Sequence, residues 1–421
     1  MMPKFLFRNL FLLFIFASAT AQEVQTEVVP PYNIKTVSFI QGGNNVVPIF
    51  QLGDTFQFQF DDLFGNEANY YFEVTHCDYN WVPTDIPKTD YVRGFDNQRI
   101  TDYSNSFNTL QVYSHYRLPF PNQFTTELRI SGNYILKILN EDREVVFSRK
   151  FILYEDHSTV TAQVKRSRDV TNIDYKQNLD FAVLSNDIVF QTPLQNIKIL
   201  LLQNGNLNTG IKNIPPQYTI GNQMVYKYNK ETQFWGGNEF LYFENKDIRA
   251  GSNNVARVGA NNDIYNSYLY TNLARGSQIY TVNQDVNGNF VVKNINASSN
   301  EIEADYAWVY FSLSAPTFRS STKDIYITGM FNNYSLSPEY KMDYNAEKGL
   351  FEKAVMIKQG FTSFQYTIAD KKGVIDYENA IDGNFYQTEN DYTILVYYKE
   401  ASDRYQRVIG KGNANSINII N

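Results

Sequence analysis

Few side chains in this 421-residue chain are suited to chemistry: one cysteine, Cys77, and three histidines, His76, His115 and His157. A cysteine beside a histidine invites a thiolate–imidazolium nucleophile or a metal site. Adjacent residues on a strand point to opposite faces, however, so His76 and Cys77 cannot pair with each other. No motif ties Cys77 to His115 or His157, and three histidines with one cysteine make a poor tetrahedral zinc set. The pair reads as a surface imidazole, His76, next to a small buried apolar residue, Cys77. Asp285-Val286-Asn287-Gly288-Asn289 superficially resembles a calcium loop. Its glycine stands at the fourth position rather than the sixth, and no glutamate follows at the twelfth. Asn287-Gly288 signals a type I′ hairpin instead. Carboxylates are plentiful, but no pair stands out as an acid/base couple. Gly-x-Ser-x-Gly, His-Glu-x-x-His and phosphate-loop patterns are missing. The expectation is a non-enzymatic protein with no cofactor, no metal and no small-molecule substrate.

Binding is the remaining kind of chemistry. In Ile327-Thr328-Gly329-Met330-Phe331-Asn332-Asn333-Tyr334 a strand ends in glycine and is followed by Phe-Asn and an aromatic. This block, continued by Met342, Gly349, Phe351 and Phe364-Gln365-Tyr366, resembles the start of glycogen-binding-type sandwich modules of the early-set family. The resemblance implies a surface on which aromatics stack against sugar rings, here through Phe331, Asn332 and Tyr334. Those modules usually carry tryptophan where this chain has Tyr334. A second candidate surface is Phe234-Trp235-Gly236-Gly237, where two glycines let the backbone turn and Trp235 is placed to cap a sheet or face a partner. A third is the polar, aromatic stretch Pro83–Asn108, which reads as an extended surface loop carrying Tyr91, Phe95 and Tyr103. Phe234 and Trp235 join these three as candidate partner contacts.

The elements that must position these residues are strands. Aromatics make up 16% of the chain, 32 Tyr and 31 Phe, and alternate with Asn, Gln and Thr as in sheets with one wet face. Thr55-Phe56-Gln57-Phe58-Gln59-Phe60 alternates strictly, with its three phenylalanines facing in. Tyr134–Leu139 and Val145–Tyr154 flank an Asn140–Arg143 hairpin turn. Ile197–Leu202 reads as a buried strand, and Tyr306–Leu313 as another. Turns recur at sandwich-like intervals, so the fold class is all-β: three consecutive immunoglobulin- or fibronectin-like β-sandwiches. The spacing places them at 22–157, 158–315 and 316–421, the last resembling the early-set module.

Lys4, Arg8, the apolar run Leu10–Phe16 and the small residues Ala19-Thr20-Ala21 read as a secretory signal peptide over 1–21. The residue after it is Gln22, not the cysteine of a lipid-anchored protein. No later apolar run approaches the ~20 residues of a membrane span. Without Lys4 and Arg8 the formal net charge moves from −7 to −9, and no Lys/Arg stripe exists, so nucleic acid is not an expected partner. A lone cysteine forms no internal disulfide, and the cores must hold the fold unaided.

The signal peptide, His76-Cys77-Asp78-Tyr79-Asn80-Trp81, Gly236-Gly237-Asn238-Glu239-Phe240 with Tyr242-Phe243, and the Ile-Thr-Gly-x-Phe-Asn block together resemble one family over nearly the whole mature chain. It is the plug protein of the type 9 secretion system of Bacteroidetes. The resemblance implies a periplasmic protein, associated with the outer membrane through the translocon, that seats against the inner mouth of the giant translocon barrel and closes it when no cargo passes. No catalytic residues come with that family. A barrel of about 36 strands is roughly 70 Å across. A ~130-residue domain is roughly 35–40 Å wide, so one sandwich alone does not cover such a mouth.

Overall fold

The computed structural model describes residues 23–261, 263–283, 285–319 and 321–419. The expected signal peptide, 1–21, lies outside the described residues. The chain is all-β, as its alternation predicts, and none of its sheets closes into a barrel.

The first sandwich faces two five-stranded sheets across a phenylalanine core. One is ordered Asn44–Asn45, Ile34–Gln41, Phe56–Asp62, Ser114–Phe120, Tyr103–Asn105; the other Ile49–Gln51, Val145–Tyr154, Gly132–Leu139, Tyr71–Cys77, Gln98–Arg99. Phe56, Phe58 and Phe60 are all buried, and Phe56 stacks on Phe50 at 4.0 Å between centroids. The Asn140–Arg143 turn forms as its residues demand: Arg143 takes φ 64°, and Asn140 N donates to Glu144 O at 3.0 Å. Pro83–Asn108 differs from the expected loop. It carries a helical turn, Lys88–Tyr91, and the short strands Val92–Gly94, Gln98–Arg99 and Tyr103–Asn105. Tyr91, Val92 and Ile100 enter the core, because burying them stabilises more than solvating a flexible loop would.

The first sheet pair ends at Tyr154 and the next strand starts at Ser158. Beyond that point the chain departs from the consecutive order expected at 158–315 and 316–421. The second sandwich begins with Ser158–Arg166, Lys176–Ser185, Ile197–Gln203 and Gln223–Tyr226, and the last two strands, Asp391–Tyr398 and Arg407–Asn415, complete it. Ile197–Gln203 pairs with Tyr398–Tyr392 along its whole length. The strands from Leu241–Glu244 to Gly360–Ala369 form a third sandwich inserted between those halves, including the block that resembles the early-set module. Its core gathers Phe243, Val309, Phe311, Ile327 and Phe364.

The physical reason lies in Ile197–Gln203. Ile199 and Leu201 face the second core, while Leu200 and Leu202 face the first sandwich. A strand buried on both faces needs apolar neighbours on both, and Asp391–Tyr398 provides them: Ile394 and Val396 on one side, Leu395 and Tyr397 on the other. At Asn287-Gly288 the turn has the expected positive φ values, 50° and 80°. Only its outgoing arm, Phe290–Val292, is a strand, since Asp285 on the incoming side accepts from Phe240 N.

Candidate functional site

The notable chemistry of the molecule sits where sandwiches meet. Between the first and third, Asp61 and His115 on neighbouring strands of the first sandwich reach Lys358 and Tyr306 on paired strands of the third. Asp61 Oδ1 is 2.6 Å from His115 Nδ1, and its Oδ2 accepts from Lys358 Nζ at 2.7 Å and Tyr306 OH at 2.6 Å. All four residues are buried. Burial alone would raise the Asp61 carboxyl; Lys358 and His115 more than offset this and hold it below the usual carboxylate range. Lys358 also donates to Glu301 O at 2.6 Å and lies 4.0 Å over the ring of Tyr113. An imidazole held by a carboxylate resembles half a catalytic triad. His115 Nε2, however, faces the Glu301 carboxylate at 3.8 Å rather than a hydroxyl or thiol, so no nucleophile is activated. The cluster acts as a polar lock between two sandwiches.

Between the first and second sandwiches the seam is apolar. Cys77, Tyr79, Trp81 and Ile152 pack against Leu200, Leu202, Leu395, Tyr397 and Val408. Tyr79 and Tyr397 meet edge to face at 4.8 Å. Their hydroxyls are satisfied across the seam, Tyr79 donating to Ile199 O at 2.5 Å and Tyr397 to Asn133 Oδ1 at 2.7 Å. The Asp78–Trp81 turn that presents these rings is tied by Asp78 Oδ1, which accepts from Asn80 N and Val82 N. Cys77 is buried as expected, and burial pushes its thiol up to about 12, away from reactivity.

His76 is not the surface residue its neighbours suggested. It is 1% exposed, with Nδ1 2.7 Å from Thr84 Oγ1 and Nε2 3.2 Å from Ser131 O. Gly132 makes room for it: a Cβ there would sit 2.1 Å from Nε2. Burial lowers the His76 pKa from 6.5 to about 4. The folded state thus stays neutral here while the unfolded chain binds a proton below pH 6.5. Its contribution is intact above that pH and lost as pH falls toward 4. Asp285, raised to about 7 by burial despite backbone donors, works in the opposite sense between 3.8 and 7. Comparing wild type with His76→Gln isolates the histidine. Between pH 7 and pH ~4.5 the wild type should lose about 2–3 kcal/mol more than the variant in urea unfolding. Equal losses would show that His76 takes up its proton in the fold.

Two stretches far apart in sequence meet between the second and third sandwiches. Trp235, Gly236, Gly237, Tyr334, Gln365 and Tyr377 line a cleft. Trp235 is half-buried, with Lys176 Nζ 4.1 Å over its ring. Gly236 is required by close approach, since a Cβ would stand 2.1 Å from Phe385 O. Beneath lie Glu239 and Asp285, carboxylates whose proximity the sequence does not announce; burial raises both. Tyr280 OH donates to Glu239, and Asp285 is held by Asn287 N and Phe240 N, so these oxygens are already engaged.

The candidate contacts divide on burial. Tyr91 and Phe234 belong to the cores of the first and second sandwiches, which removes them from any partner surface. Tyr103 is half-buried against Tyr116 and donates to Glu67 at 2.9 Å, whereas Phe95 is 73% exposed. Of the sugar-stacking set, Phe331 packs on the third core. Asn332 ties the turn, accepting from Gly329 N at 3.1 Å and donating to Ile327 O at 2.9 Å. Tyr334 directs its hydroxyl toward Asn204 O. The expected stacking platform is therefore committed to holding the fold. Sequence reasoning missed Tyr32 and Phe64, an exposed aromatic pair at 5.7 Å on the rim of the first sandwich, beside exposed Val112. The signal was an aromatic next to a turn residue, Asn33 after Tyr32 and Gly65 after Phe64.

Residues 34–155 match the family described as the type 9 secretion system plug protein 1st domain. A solved structure of a hypothetical protein from Parabacteroides merdae superposes with TM-score 0.87 and 29% identity, over 92% of this chain and 98% of its own. Another, described as the BSP domain of a biofilm associated protein, aligns at TM-score 0.16 and 8% identity over 93% of this chain and 60% of its own, too little to bear on the fold. No protein of curated function matches. The first sandwich thus matches the first domain of the type 9 secretion system plug protein family, and the match supports a link of this chain to that family.

Proposed function

We propose that this chain is a non-enzymatic periplasmic stopper that seals the periplasmic mouth of the outer-membrane translocon barrel of the type 9 secretion system when no cargo passes. The observation that carries this reading is the match of residues 34–155 to the plug protein's first domain. Shape supports it. Lysine–carboxylate and tyrosine–tyrosine seams join all three sandwiches, so the load on one is shared by the others. A body of ~400 residues is roughly 55 Å across, much nearer the ~70 Å mouth than a single sandwich of roughly 35–40 Å. Buried seams suit a rigid obstruction, and a rim of exposed aromatics suits a wet, reversible contact.

The best-placed anchors are Tyr32 and Phe64, with Phe95 at the other end of the first sandwich. In cells carrying the secretion apparatus, a tagged wild-type chain should co-purify with the barrel. The double substitution Tyr32→Glu/Phe64→Glu should reduce that recovery about tenfold or more while leaving the thermal transition in place. Undiminished recovery would take this rim out of the contact, and no barrel in the wild-type eluate would overturn the stopper itself.

A further inference from the structure

Arg149 has no ion-pair partner among the described residues. It lies on Val145–Tyr154, on the face that carries Phe147 and Phe151 into the first core, yet it stands at the open edge of the sandwich where the third sandwich closes over it. It is 9% exposed. Among the described residues its guanidinium has one protein acceptor, Ser148 O at 3.0 Å, and no carboxylate within the 4.0 Å of an ion pair. Glu27 acts on it only from farther off, its two oxygens accepting from Lys150 N and Asn333 Nδ2 at 2.7 Å each. Buried guanidinium groups are ordinarily paired, since an uncompensated charge out of water is costly.

Arg149 lines a small cleft in this seam. Two other cations line it, and both are neutralised, Lys35 by Glu339 and Lys358 by Asp61. Beside the Glu339 carboxylate and the polar Thr36, Asn332 and Ser335, the wall carries the apolar Pro30, Phe331, Tyr340 and Met356. The backbone is bent to make this space: Thr36, a β-branched residue, takes φ 52° where the pairing of Ile34–Gln41 shifts register. One unpaired planar cation at the head of a partly apolar cleft selects a monoanion with an aliphatic body over a compact dianion such as phosphate.

We propose that this seam binds an aliphatic carboxylate, its head group forked on Arg149 and its chain against Pro30, Phe331 and Tyr340. The site is independent of whether the chain seals a pore. Isothermal titration of the full chain with hexanoate tests it, with hexanol and inorganic phosphate as head-group and body controls. Hexanoate should bind saturably, and each control at least about tenfold more weakly. Arg149→Lys, which keeps the charge and loses the fork, should weaken hexanoate about tenfold, and Arg149→Met should abolish it. Arg149→Met should also keep a cooperative thermal transition, because the guanidinium makes one protein hydrogen bond, to Ser148 O. Tyr340→Ala should weaken hexanoate more than acetate, which reports the apolar wall separately from the head group. No saturable heat up to about 10 mM hexanoate, equal affinity in Arg149→Met, or phosphate binding as well as hexanoate would each overturn the proposal.

Discussion

Asp61→Leu should cost the fold about 3–5 kcal/mol, because it strands the buried Lys358 ammonium rather than merely deleting a contact. Asp61 is fully buried and is the shared acceptor of Lys358, Tyr306 and His115. Without it Lys358 keeps only Glu301 O and the face of the Tyr113 ring, neither of which carries a full negative charge. Lys358→Met alone should be similarly damaging for the opposite reason, leaving the carboxylate with His115 and the Tyr306 hydroxyl. The double variant Asp61→Leu/Lys358→Met should recover most of the loss, since two apolar side chains of similar bulk need no compensation. Urea unfolding of the four proteins gives the coupling energy directly. Additive losses would mean that the charges are solvated in the folded protein and that the lock between the first and third sandwiches is weaker than its geometry implies.

Tyr397→Ala should rank beside it, at about 3–5 kcal/mol, with a different signature. Tyr397 is 1% exposed and fills the seam between the first and second sandwiches. Its loss opens a cavity against Tyr79 and Leu200 and leaves Asn133 Oδ1 without its donor. Calorimetry should therefore show the single transition of the wild type broadening or dividing, the first sandwich no longer melting with the second. Tyr397→Phe keeps the ring and loses only the hydroxyl, and should cost about 1–2 kcal/mol with cooperativity preserved. A single sharp transition in Tyr397→Ala, merely shifted, would show that the polar lock to the third sandwich suffices to couple the three.

The two predictions concern seams because the seams are what separates this fold from a string of sandwiches. For a stopper the distinction matters. A string bends at its linkers, whereas three bodies joined by a buried ion cluster and a buried tyrosine pair move as one.

What the amino-acid sequence determined by itself was local. Alternation of period two put Phe56, Phe58 and Phe60 into a core, and Asn140–Arg143 into a turn, because side-chain direction along a strand is set by the backbone of that strand alone. The all-β class and the plug-family likeness were legible from the same short-range patterns. Only the tertiary structure decided that Asp391–Tyr398 pairs with Ile197–Gln203, that His76 and Tyr91 are buried, and that Asp61 meets Lys358. A strand's partner is selected by complementary apolar faces anywhere in the chain, so nothing adjacent in sequence records the choice. Burial of an isolated polar or aromatic residue depends likewise on what closes over it, and here that is a different sandwich, brought in by folding rather than by sequence neighbourhood.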